Sequence, residues 1–538
     1  LSLHRWLLAP LLLAIAWFAP RIGDPWLSSF EKFAARFAKQ RNKVLITVAI
    51  TAILARLALL SILPVPVPET HDEFAHLLAG DTFAHGRLAN PTPPFWIFFD
   101  TFHELMHPAY ASIFAPANGG VLAIGELLGH PWIGVLLSMV LMCVALSWAL
   151  QSWLPSEWAL VGSVLVLLRI YLFSYWLEGY WGGAVSAIGG ALVIGSVPHL
   201  MRRHEPRYSW LMGLGAFLLA NSRPLEGFVF CLPVVGALIL WMLSPRAPAA
   251  KLVITRVIMP CLSFLAVTLA FVGYYNWRVT GHALVMPEAL YAEQYINYRI
   301  FIWQALKPPL IYANPQFEQY FNTFFRESRH GWSSFWQAHS FWQFFLGPTL
   351  SLPLLMFPRL LLDRRVRLLL MQFLLCALGF LAVAVGFLPH YAGPVTATFF
   401  ILLIQAMRHL RRVEIKGRPI GVFLTRLVVV LAVLRVAAYI RRPPSFQEPW
   451  ARERAKLVES LQATPQRHLI LVRYSANHNP HHEWVFNAAA IDRSRIVWAR
   501  VIPGRDLNPL LDHFRDRTVW VVEADSPNPE LRPYRDVP

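Results

Sequence analysis

Long apolar runs, separated by short polar or basic stretches, dominate the chain up to about residue 440. A helix that crosses a bilayer needs roughly 20 mostly apolar residues. Runs of that kind fall near 44–63, 132–152, 157–177, 183–201, 208–222, 226–244, 257–275, 341–359, 368–388, 395–409 and 421–440. They predict a mainly α polytopic transmembrane bundle of eleven spans, twelve if the apolar run at 6–19 also crosses. Basic clusters such as Arg202/Arg203/Arg207, Arg364/Arg365/Arg367 and Arg408/Arg411/Arg412 each follow an even-numbered span. Lys and Arg collect in cytoplasmic loops. The first loop (64–118), a later loop (276–340) and the C-terminus are thereby assigned to the extracytoplasmic side of the cytoplasmic (inner) membrane.

Outside the bundle the pattern changes twice. Residues 28–41 place Phe30, Phe33 and Phe37 on one helical face with basic residues elsewhere, as an interfacial helix does. After Arg441-Arg442-Pro443-Pro444, helical and alternating segments succeed one another: a helix at 446–463, strands at 468–474, 495–501 and 518–524, and a helical stretch at 507–515. This alternation predicts a small soluble α/β domain. The chain divides into 1–43 (apolar segment and amphipathic helix), 44–440 (membrane domain) and 441–538 (C-terminal domain).

Composition agrees with this division. The chain of 538 residues is 56% hydrophobic and 15% charged, against about 25% charged in soluble domains, and its mean hydropathy is +0.45. The net charge of +17 is explained by membrane topology, since no zinc-finger, RNA-binding or aromatic–basic groove pattern accompanies it; nucleic acid is excluded as a partner. The four cysteines, Cys143, Cys231, Cys261 and Cys376, lie in apolar runs without metal-like spacing.

Ionised groups are costly in hydrocarbon, so the candidate chemistry is sought in the loops. The first loop reads PETHDEFAHLLAGDTFAHGRLANPTPP. Asp72 and Glu73 stand just beyond the first span, at the start of an amphipathic helix over 71–88. Thr70-His71-Asp72-Glu73 also fits a capping box, with Glu73 reaching back to the backbone. Glu178, in YWLEGYWGG, is a further acid in a turn between spans; Asn221-Ser-Arg223-Pro lies in another, and Pro389-His390-Tyr391-Ala-Gly-Pro394 opens a late span.

Taken in order, these features resemble the GT-C superfamily of membrane glycosyltransferases, in the branch of bacterial relatives of the protein O-mannosyltransferases and of the lipid A aminoarabinose transferase. Tyr110-Ala-Ser-Ile-Phe-Ala-Pro116 resembles that family's Tyr-Pro-Pro segment, Ser222-Arg223-Pro224 its (Thr/Ser)-(Lys/Arg)-Pro turn, and the stretch at 389–394 its Arg-Tyr-x-x-Pro. The resemblance covers about residues 44–440. It implies transfer of a sugar from a polyprenyl-phosphate-type donor to a lipid, glycan or protein acceptor, with inversion. It implies Asp72 as general base or orienter, with Glu73 beside it, and Glu178 as a second acid. It also implies that Arg223, His390 and Tyr391 bind phosphate. His390 departs from the pattern, which more often has Arg. No cofactor is marked out by the residues; a divalent metal is the one candidate the resemblance brings.

Two other readings compete. His103-Glu104-Leu105-Met106-His107 spells H-E-x-x-H, which on a helix holds zinc in metalloproteases; Pro108 follows at once, and the chain has 19 histidines. A transporter or flippase would show internal repeats and charges within the spans; no repeat is found and the in-span charges, Arg56 and Arg169, are few. His478-Asn-Pro-His481-His482-Glu483 is a second histidine-rich tract, read as a solvated loop that can contact an acceptor if the domain folds back over the site.

Overall fold

The structure is a computed structural model that describes residues 14–534 apart from 246, 309, 331, 332 and 387. Residues 6–13 of the N-terminal apolar run lie outside the described residues. An amphipathic helix α1 (Asp24–Ala38) precedes α2 (Arg41–Ala58) and α3 (His71–Ala84). A two-stranded ribbon, β1 (Glu104–Leu105) and β2 (Ala111–Ser112), leads into α4 (Pro116–Leu127), α5 (Pro131–Trp153) and α6 (Ser156–Val166). Helices α7 (Gly183–Arg203), α8 (Pro206–Ala220), α9 (Pro224–Met242) and α10 (Met259–Thr280) follow. The later loop carries α11 (Pro287–Gln294) and α12 (Pro315–His330), and α13 (Arg367–Leu381), α14 (Thr396–Arg411) and α15 (Ile420–Arg441) complete the apolar part.

Each of the eleven apolar runs carries a helix, but fewer than eleven are long enough to cross. Among the described residues seven helices have the length and apolarity to span a membrane, and eight if the pair Phe335–Phe345 and Gly347–Leu362, bent by 78°, counts as one. Helices α6, α8 and α13 have 11, 15 and 15 residues. At about 1.5 Å per residue, a 15-residue helix covers roughly 22 Å of a core about 30 Å thick. The hydropathy of these segments extends into irregular flanks: α6 passes into a π-turn at Leu167–Tyr171, and α8 is bounded by Pro206 and by the turn before Pro224. Among the described residues the expected count of eleven or twelve is therefore not confirmed.

Helix α1 exposes Trp26, Phe30 and Phe33, while Glu31 on another face pairs with Arg411 (2.8 Å) and Arg426 (2.9 Å). It is thus pinned to the side of the bundle where the basic clusters gather.

After α15 come α16 (Pro449–Gln462), β3 (His468–Arg473), β4 (Ile496–Arg500), α17 (Asn508–His513), β5 (Thr518–Glu523) and β6 (Arg532–Pro533). The sheet order is β4-β3-β5-β6, with β3 parallel to both neighbours and β6 antiparallel at the edge. Leu469 to Val472 are fully buried, which matches a strand covered on both faces. This sheet does not stand apart from the first loop. Leu78, Phe98, Phe99, Met106 and Tyr110 share one apolar cluster with Leu469, Leu471, Val497 and Val521. Phe74 stacks on Phe486 at 4.6 Å, and the Tyr110 hydroxyl donates to the carbonyl of Asn487 (3.1 Å).

Candidate functional site

The site is built around the start of α3. Prolines at 64, 66 and 68 hold the approach extended, and Thr70 caps the helix in a capping box. Glu73 completes that box. Its Oε2 accepts from the backbone N–H of Glu69 (2.9 Å) and Thr70 (3.2 Å), and its Oε1 from Tyr180 N–H (2.8 Å). Gly179 lets the turn come this close, because a Cβ there would lie 2.5 Å from Glu73 Oε1. Both carboxylate oxygens of Glu73 are thus taken up by backbone, so the structure gives it a structural task and not the catalytic one expected beside Asp72. Burial pushes its carboxyl up to about 7.

Glu178 is likewise engaged elsewhere. Its Oε2 lies 3.0 Å from Arg56 Nη2, with the two side chains 4% and 0% exposed. Arg56 also donates to the carbonyl of Leu63 (2.9 Å) and rests 4.7 Å over the Trp132 ring. The pair fastens the top of α2 to the turn before α7; the expectation of a second catalytic acid gives way to a buried ion pair.

Asp72, one position before Glu73, faces a different set of groups. Its Oδ1 lies 2.6 Å from His103 Nδ1, and the side chains are 14% and 19% exposed. Burial opposes the charged carboxylate, but His103 above all, and then His390 and His76, hold Asp72 well below the usual carboxylate range. His390 is 1% exposed. Its backbone N–H donates to the Tyr175 hydroxyl (2.9 Å), its Nδ1 lies 3.1 Å from the same oxygen, and its Nε2 is buried without a protein partner. Arg223 lies 4.1 Å over the Tyr391 ring and forms no ion pair among the described residues; Glu226, one turn on, does not take it up. Arg223 and Asp72 are both within electrostatic reach of His390. The structure thus brings Asp72, Arg223, His390 and Tyr391 together and leaves Glu73 and Glu178 at its margin.

Histidines missed as site residues complete the pocket. Both ring nitrogens of His71 and the Nδ1 of His76 are buried without protein partners, and burial pushes the His76 imidazole down to about 3. Buried polar atoms of this kind call for a ligand, water or ion. The tract at 478–483 reaches the pocket through one residue: the His481 ring lies 5.8 Å from His71 and 5.4 Å from Tyr320. Its neighbours are committed locally, His478 to Asp525 (2.7 Å) and Glu483 to Arg500 (2.6 Å). The density of histidine in the first loop is the sequence signal that points to these residues, and the H-E-x-x-H spelling draws attention away from it.

That motif is not a zinc helix. Glu104 sits in β1 opposite Ser112, His103 has φ +61°, and His107 packs edge-on against Trp96 at 4.7 Å. Extended chain separates the two histidines, so they do not share a face, and the metalloprotease reading falls. Among the described residues the one set of three with metal-ligand spacing is Asp81, His85 and Glu126, whose ligand atoms lie within 4.8 Å of one another. It stands nine residues along α3 from Asp72, about 13 Å by helical rise, and Asp81 Oδ2 already accepts from Ala489 N–H (2.7 Å). The divalent-metal expectation therefore has a geometric counterpart away from Asp72 and none at it among the described residues.

Comparison with solved structures gives matches over most of the chain. ArnT from Cupriavidus metallidurans matches at 12% identity and a TM-score of 0.48, covering 89% of this chain and 92% of that one. The same protein bound to undecaprenyl phosphate matches at 12% and 0.48 over 90% and 93%. The oligosaccharyltransferase from Archaeoglobus fulgidus matches at 11% and 0.41 over 83% and 63%. No family model matches the chain, and no curated protein does. At such identities residue roles do not transfer, and the site's own geometry has to carry the chemistry.

Proposed function

We propose that the protein is a multi-pass membrane glycosyltransferase that moves a sugar from a polyprenyl-phosphate-type donor to a hydroxyl acceptor. The observation that carries this is the grouping, around the start of α3, of the Asp72 carboxylate with a guanidinium stacked on Tyr391 and an unpartnered imidazole nitrogen of His390. The GT-C resemblance of the sequence supports it.

The chemistry follows from these groups. A hydroxyl is a weak nucleophile, and a positioned proton acceptor contributes about 10²–10⁴-fold. Asp72 serves that acceptor hydroxyl. The acceptor O–H bond breaks with its proton passing to the Asp72–His103 pair, the acceptor oxygen attacks the anomeric carbon from the side opposite the phosphate, the carbon–oxygen bond to phosphate breaks, and the configuration inverts. Negative charge grows on the departing phosphate; Arg223, held flat by Tyr391, stabilises it, with His390 Nε2 as a further donor. The basic clusters support a cytoplasmic-membrane location with the pocket and C-terminal domain on the extracytoplasmic side. The acceptor is a lipid, glycan or protein hydroxyl.

The test is transfer of labelled sugar from a polyprenyl-phosphate donor pool in membranes, wild type against Asp72→Asn. A loss of at least about 10²-fold in a stably inserted variant is expected. Undiminished transfer removes Asp72 from the reaction; a wild type inactive with every donor removes the enzyme class.

A further inference from the structure

Asp72 has a partner that no sequence pattern assigned to it. Four observations set His103 apart. Its Nδ1 lies 2.6 Å from Asp72 Oδ1. It occupies the left-handed region at φ +61°, where a non-glycine residue is strained and persists only if its surroundings hold it. Its backbone N–H is held by the Tyr291 hydroxyl (3.1 Å), which fixes the strained peptide in place. The other ring nitrogen, Nε2, has no protein partner among the described residues and is not among the buried unpartnered atoms, so it remains open to the pocket.

One oxygen of Asp72 is taken up at 2.6 Å by His103 Nδ1, which leaves the other nitrogen of the neutral imidazole as the open proton acceptor of the pair. Division of labour between an acid that orients and a histidine that accepts is a recurrent arrangement. We infer that His103 Nε2 takes the proton of the acceptor hydroxyl, while Asp72 is a positioning residue that fixes the ring and balances the charge it gains.

This rests on the glycosyltransferase reading and specifies its proton step. The acceptor O–H bond breaks with its proton going to His103 Nε2, the acceptor oxygen bonds to the anomeric carbon, and the phosphate leaves with the electron pair beside Arg223. His103 then returns the proton to water. The groups that face His103 are Asp72 and His71 at the start of α3, His76 one turn on, Tyr291 and Glu288 of α11, Tyr320 of α12, and His481 of the C-terminal domain. Asp72 is the nearest of them, at 2.6 Å.

The experiment compares the full chain in membranes as wild type, His103→Gln, His103→Ala and Asp72→Asn, in the labelled-sugar assay from pH 5 to 9. The expected wild-type rate falls toward acid along a single limb. His103→Gln loses about 10²–10⁴-fold together with that limb, and added imidazole restores part of the rate to His103→Ala. Asp72→Asn is slower but keeps the limb, since the base is still present. Two results overturn the assignment alone: transfer by His103→Gln within threefold of wild type, or a limb that survives in it. A wild type that transfers nothing overturns the functional reading and this step with it. Folding of the variants is controlled by thermal melting, and imidazole rescue separates a chemical loss from a structural one.

Discussion

Replacing Glu178 with glutamine leaves the shape of the side chain and removes one charge from a pair in which Arg56 is fully buried. Breaking a buried ion pair from one side typically costs about 3–5 kcal/mol, because the remaining charge is left uncompensated. Arg56 would keep its bonds to the carbonyls of Leu63 (2.9 Å) and Pro64 (3.5 Å) and its place over Trp132, which puts the expected loss at the lower end, about 3 kcal/mol. At about 2 °C per kcal/mol for larger domains, the melting midpoint of the detergent-purified chain should fall by roughly 6 °C. The double variant Arg56→Met/Glu178→Leu should recover most of that, since an apolar pair of similar volume is often neutral or better. Transfer per folded molecule should stay near wild type in both. If Glu178→Gln melts with the wild type and yet transfers no sugar, the carboxylate belongs to the reaction and the reasoning from the ion pair is wrong.

Four further outcomes are expected. Arg223→Ala should lower kcat/KM for the donor by about 10–150-fold, the worth of a charge-assisted contact of about 1.5–3 kcal/mol, with Arg223→Lys intermediate; steady-state kinetics with varied donor checks this. Gly179→Ala should destabilise the chain by more than about 1 kcal/mol, because its Cβ would meet Glu73 Oε1; a melting curve reads it. Burial pushes the Asp100 carboxyl from 3.8 up to about 7, so the folded state holds its proton longer than the unfolded one. The stability this gives is complete below about pH 4 and is lost as pH rises through 7, a change of up to about 4 kcal/mol at 1.36 per unit. Asp100→Asn should flatten stability between pH 4 and 7 and melt higher than wild type above pH 7. Phe30→Glu/Phe33→Glu in α1 should leave the melting midpoint within about 1 °C, since both rings are exposed, and lower partition of an isolated 24–38 peptide into lipid vesicles.

Much of the architecture could be read from the order of residues. Apolar runs located every long helix of the bundle, because bilayer burial demands a continuous apolar stretch that no tertiary contact can replace. Alternation near 468–474, 495–501 and 518–524 likewise marked the segments that form β3, β4 and β5. Composition could not say where a helix stops. Hydropathy is blind to the π-turn after α6 and to the bend after Phe345, so it does not tell a straight crossing helix from a broken one.

The site divides along the same line. Residue type and position beside a span pointed to Asp72, while Arg223, His390 and Tyr391 were singled out through the family resemblance. Residue type and local spacing were enough to read the capping role of Glu73, which is a contact three residues long. They could not separate Glu178 from the reaction, because its partner Arg56 is 122 residues away. Nor could they turn His103 from a zinc ligand into Asp72's neighbour, since that depends on β1 replacing a helix and on a 31-residue excursion returning to the start of α3. Local patterns fix which groups are ionisable and roughly how deep they sit. Which charge meets which is decided only when distant segments pack, because in a buried site the low dielectric lets the nearest opposite charge, wherever it lies in the chain, outweigh every more distant one.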